Sequence, residues 1–108
     1  MSIALLQLVE TRLARHSPVR PRLRPLMKRS SVALVLAVRA GELQVLMIRR
    51  AEREGDPWSG QMAFPGGRRD PEDPHGYAVA VRETAEEVGL DLDRHARFIG
   101  RLSDIATR

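Results

Sequence analysis

Apolar residues recur at helical spacing near the start of the chain. Ile3, Leu6 and Leu13 fall near one face of a helix over residues 3–14, while Glu10 and Arg12 point elsewhere. Ser17-Pro18 ends that helix, because the residue before a proline is pushed out of helical geometry. Pro18, Pro21 and Pro25 then alternate with arginines, which predicts an extended arm over residues 17–30. The β-branched and aliphatic run from Ser31 to Arg39 predicts a buried strand. Ala40-Gly41-Glu42 predicts a turn, and Leu43 to Arg49 the returning strand of a β-hairpin. Polar residues with Gly55, Pro57 and Gly60 mark 50–60 as a loop. Gln61 to Phe64 reads as a short strand stopped by Pro65-Gly66-Gly67, followed by a charged loop from Arg68 to His75. Residues 76–88 carry the strongest helical pattern. Asp73 suits its N-cap, Pro74 its first turn and Gly89 its C-terminal cap. Residues 97–102 predict a final strand. There are no internal repeats.

Composition changes this picture little. The 108 residues make one domain at most, and the absence of cysteine excludes a disulfide scaffold or a thiolate metal site. The longest uninterrupted apolar run, Val32 to Val38, is far shorter than the roughly 20 residues of a membrane span. Charge is more informative once divided. Residues 1–30 hold seven Lys/Arg against one acid, Glu10, whereas residues 31–108 hold eleven bases and thirteen acids. The formal net charge of +4 therefore sits in the arm, which weakens the inference from a basic chain to a nucleic-acid-binding fold. We read residues 1–30 as a basic helix and Pro/Arg-rich arm, and 31–108 as the domain. An Arg-rich, acid-poor arm also fits a mitochondrial transit peptide; the alternative is an appendage that packs on the domain or a partner, with the protein cytoplasmic.

Chemistry enters with the helix over 76–88. At 100° per residue, Tyr77, Val81, Thr84, Ala85 and Val88 occupy one side, and Glu83, Glu86 and Glu87 cluster on the other. Like charges spaced i,i+3 and i,i+4 cost a few tenths of a kcal/mol per pair, and the macrodipole disfavours them in the C-terminal half. Three glutamates could simply be a solvated face. The alternative is a site for Mg²⁺, which takes hard oxygen ligands from a few carboxylates plus substrate phosphates. The glycine pair Gly66-Gly67 just upstream would let a backbone approach a phosphate or offer a carbonyl to a metal.

The run Arg82-Glu83-Thr84-Ala85-Glu86-Glu87-Val88-Gly89-Leu90 resembles the second half of the Nudix box, G-x5-E-x7-R-E-U-x-E-E-x-G-U, with U aliphatic. Arg82, Glu83, Glu86, Glu87, Gly89 and Leu90 match, and Thr84 stands where an aliphatic residue is usual. The first half is one residue longer than the box, so Gly67 serves as its glycine and Asp73 stands nearest its first glutamate. That spacing, with Gly60 and Phe64-Pro65-Gly66-Gly67, is similar to the coenzyme A diphosphatase branch of the family. Trp58, Asp56 and Met62 depart from that branch's upstream motif, and Arg50 is its candidate first arginine.

The resemblance implies an α/β (α+β) fold with a Nudix-type mixed sheet between helices, and a hydrolase of nucleoside diphosphate derivatives that uses Mg²⁺ or Mn²⁺. Coenzyme A or its acyl thioesters would be the leading small-molecule substrates. Glu83, Glu87 and Glu86 would be metal ligands, joined by the Gly66 carbonyl, and Arg82 would orient the carboxylates. Gly67, Arg49, Arg50 and Arg69 are the candidates at the substrate phosphates. Trp58 would pack under its loop or stack on a base, and His16, His75 and His95 read as surface residues. Because the box helix lies so near the end of the chain, the C-terminal part of the sandwich is expected to be missing. Weak metal binding and slow turnover would follow. Two other readings stand beside the enzyme: a non-catalytic nucleotide-binding remnant, and a nucleic-acid or membrane-surface binder acting through the arm.

Overall fold

The computed structural model describes residues 2–22, 28–57 and 59–105. Trp58, residues 23–27 of the arm and residues 106–108 lie outside the described residues. The fold is α+β. Helix α1 (Ser2–Arg15) precedes the strands β1 (Ser30–Val32), β2 (Leu36–Arg39), β3 (Glu42–Val45), β4 (Ile48–Arg49), β5 (Met62–Ala63) and β6 (Gly66–Arg68), and helices α2 (Gly76–Val88) and α3 (Leu92–His95) follow.

The strands form three short antiparallel pairs, β1 with β6, β2 with β3 and β4 with β5. The run 31–39 is therefore split, and the reason is a change of partner. Its first half pairs with 66–68 and its second with 42–45. Bonds at the junctions keep the chain extended: Ala33 N donates to Pro65 O at 2.8 Å and Leu46 N to Val35 O at 2.9 Å. The strand 62–63 ends before Pro65, which has no N–H to donate, and Gly66 and Gly67 then pair with a different strand, opposite Val32 and Ser31.

α2 packs on β1 and β6. Its buried residues are Val79, Ala80 and Thr84, while Val88 is exposed and Val81 only half-buried. The packed side is thus rotated from the aliphatic side of the wheel toward Gly76, Ala80, Glu83 and Glu87. Small residues on both surfaces permit this: a Cβ on Gly76 would lie 2.9 Å from Ser31 Oγ. Pro65 and Leu92 complete the small core around this contact. Alternate strand residues Val32, Leu34, Val45, Met47 and Met62 remain exposed.

Two further expectations are corrected. Residues 97–102 form no strand; they run alongside the N-terminal segment, where Arg97 Nη2 donates to Glu10 Oε1 and Asp104 N to Val19 O at 2.9 Å. Glu10 raises the Arg97 pKa by accepting that bond. The N-cap of α2 is His75, whose Nδ1 accepts from Ala78 N at 3.1 Å, and not Asp73. Gly89 does close the helix, at φ 71°.

Candidate metal and diphosphate site

The site is built where α2 crosses β6. Gly66 N donates to Glu87 Oε1 at 3.0 Å. One turn earlier, the carboxyl of Glu83 lies over Gly67, and a Cβ there would stand 2.5 Å from its Cδ. Two carboxylates spaced i,i+4 are thereby laid along a strand edge that has no side chains to exclude them. Glu86 is the more open to solvent: its side chain is 59% exposed, against 20% for Glu83.

Arg82 gathers the remaining acids. Its Nη2 donates to Asp73 Oδ2 at 2.8 Å, its Nε to Asp73 Oδ1 at 3.2 Å and its Nη1 to Glu83 Oε1 at 2.9 Å. Ion pairs at 3.5 Å reach Glu86 and Asp70. Asp73 is buried, and Asp70 N also donates to it, at 2.8 Å. The bidentate Arg82 contact, followed by that backbone bond, holds the Asp73 carboxyl below its ordinary range, and the same contact raises the Arg82 pKa. Asp73 therefore acts on Arg82 instead of capping the helix. The signal for this role was the extra residue in the box, which puts an acid, not a glycine or proline, nearest the position of the first glutamate.

The arginine candidates separate. Arg49 and Arg50 line an open cleft of about 380 Å³ together with Arg53, Asp56 and Glu87. Arg69 faces a different depression, beside Arg29, Asp70 and Pro71. Its Nε and Nη2 donate to the carbonyls of Asp73 and Pro74 at 3.1 and 3.3 Å, so it braces the loop before α2. Arg53 belongs to no motif in the sequence, and only the folding of the 50–60 loop brings it to the cleft.

Among the described residues, no three or more His, Cys, Asp or Glu side chains are gathered into a set that could hold a metal ion. The pairing explains it: Glu83 and Glu86 are drawn to Arg82, and Glu87 to the Gly66 amide. The donor type nonetheless fits a hard divalent cation. Glu83 and Glu87 are carboxylates one turn apart on a rigid helix, and the glycine strand lets both lie close to its backbone.

Comparison with known proteins identifies the family. The NUDIX domain family matches residues 27–108. The chain is 51% identical over 61 residues to the uncharacterized protein C14C4.10c of Schizosaccharomyces pombe, a stretch covering 56% of this chain and 18% of that one. It is 43% identical over 61 residues to the peroxisomal coenzyme A diphosphatase NUDT7 of Mus musculus, covering 56% and 25%. Against the mitochondrial coenzyme A diphosphatase NUDT8 of Mus musculus it is 34% identical over 73 residues, covering 68% and 35%. The chain thus matches about a third or less of each relative's length. With a family match spanning most of its residues, and the Arg82–Glu87 run placed against a glycine strand, the chain belongs to the Nudix family.

Proposed function

We propose that this chain carries the metal-binding site of a hydrolase that cleaves the diphosphate bond of nucleoside diphosphate derivatives, with coenzyme A or its acyl thioesters as substrate. The observation that supports this most is the seating of Glu83 and Glu87 along Gly66-Gly67. Glu83 and Glu87 would hold Mg²⁺ or Mn²⁺, with Glu86 turning in as a third ligand. Such an ion, when bound, neutralises the diphosphate and lowers the pKa of a coordinated water.

The protein's own task is positioning. Asp73 fixes Arg82, and Arg82 restrains the Glu83 carboxylate that lies against Gly67. Arg49 supplies positive charge to the substrate phosphates across the cleft from Glu87. The coenzyme A assignment is supported by the two Mus musculus relatives, which are named coenzyme A diphosphatases, one peroxisomal and one mitochondrial. Among the described residues no helix is long and apolar enough to cross a membrane.

The test is ³¹P NMR of coenzyme A incubated with the purified chain and Mg²⁺. New phosphomonoester resonances are expected, reduced roughly a hundredfold or more in Glu87→Gln. Binding of coenzyme A without cleavage would favour the non-catalytic nucleotide-binding reading. Cleavage unaltered in Glu87→Gln would remove the helix from the chemistry.

A further inference from the structure

The three arginines of the cleft beside Glu87 differ in what they are attached to. Arg50 is a strut. Its backbone closes the 50–60 loop, donating to Gln61 O at 2.8 Å and accepting from Gly60 N at 3.1 Å. Its side chain crosses the loop to Asp56 Oδ2 at 3.2 Å. Arg49 is loosely held: it meets Glu52 at 3.7 Å, with both side chains at least 70% exposed. An exposed pair of that kind contributes little and exchanges partners readily.

Arg53 combines a fixed backbone with an uncommitted side chain. Its N–H donates to Ser59 Oγ at 2.7 Å, and its carbonyl accepts from Asp56 N at 3.1 Å. Among the described residues its guanidinium makes no ion pair or hydrogen bond, although it stands on the cleft wall with Asp56 and Glu87. A planar guanidinium fork suits bidentate binding of a phosphate, and the anchored backbone fixes where the side chain starts.

We infer that Arg53 and Arg49 form an anion clamp for the diphosphate group of the substrate, while Arg50 only holds the loop that carries Arg53. This rests on the diphosphatase reading and names the groups that recognise its substrate. Neither the Nudix box nor the glycine strand contains Arg53.

The experiment is calorimetric titration of the full chain with ADP and Mg²⁺, alongside thermal unfolding, for Arg53→Gln, Arg53→Lys, Arg49→Gln and Arg50→Gln. Arg53→Gln and Arg49→Gln are expected to weaken ADP roughly tenfold or more each with the thermal midpoint unchanged. Arg53→Lys should recover part of the loss, and Arg50→Gln should lower the midpoint. The clamp is overturned if Arg53→Gln binds ADP like the unaltered chain. It is also overturned if Arg50→Gln weakens ADP as much as Arg53→Gln with no loss of stability. If the unaltered chain binds no ADP, the diphosphatase reading fails first and the clamp falls with it.

Discussion

Gly67 lies so close to Glu83 that a methyl group on its Cα would stand 2.5 Å from the carboxyl carbon. Only the end of a flexible side chain would have to move, so Gly67→Ala should fold normally. The displaced carboxylate should cost divalent-ion affinity roughly 10- to 100-fold. Gly66→Ala is the contrast. Its methyl would meet Ser31 O at 2.2 Å and Val32 Cα at 2.6 Å, both backbone, and the β1–β6 pairing must open. We expect a loss of about 1–3 kcal/mol in chemical denaturation for Gly66→Ala. Equal stability losses in the two variants would contradict this geometry.

Asp73 should act at a distance from the metal. Asp73→Asn keeps the shape but weakens the grip on Arg82, and should lower activity roughly 10- to 100-fold through misplaced carboxylates. Its pH signature is distinct. Because the folded-state pKa of Asp73 is depressed, its stabilising effect is full above the ordinary carboxylate value of about 3.9 and is lost as pH falls through the lower native value. Thermal midpoints measured from pH 6 to pH 2.5 should therefore fall more steeply for the unaltered chain than for Asp73→Asn. Parallel curves would show that the Arg82 contact carries no such linkage.

Thr84 occupies a position where the family prefers an aliphatic residue, and it is fully buried. Its Oγ1 donates to Ala80 O at 2.6 Å, a carbonyl that already has the helical N–H of residue 84 as partner. Thr84→Val orphans nothing and removes a buried hydroxyl, so it should stabilise the fold by about 0.5–1 kcal/mol in urea denaturation. A destabilisation of similar size would mean the hydroxyl is needed to hold α2 in place.

Much of the chemistry was legible in the sequence because it is local. The bounds of α2, the Gly89 cap and the neighbourly spacing of Glu83, Glu86 and Glu87 all follow from residues within a few turns of one another. What escaped is set by partners far along the chain. Val81 and Val88 form the aliphatic stripe, yet the helix turns its Gly76, Ala80 and Glu83 side to the sheet, because Ser31, Gly66 and Gly67 leave space only there. Asp73 reads as a cap by local rules, but Arg82 claims both its oxygens and His75 caps instead. Strand 31–39 divides because two different segments pair with it, and no local pattern announces a change of partner. Arg69 braces the loop before α2 through the Asp73 and Pro74 carbonyls, a contact that its place in the sequence does not announce.

The most direct test of the central claim is Mn²⁺ binding, followed by electron paramagnetic resonance in the presence of ADP. The unaltered chain is compared with the Glu83→Gln/Glu87→Gln double variant. The account predicts a bound Mn²⁺ population that the double variant loses by roughly tenfold or more in affinity. Equal Mn²⁺ uptake by both proteins would contradict it.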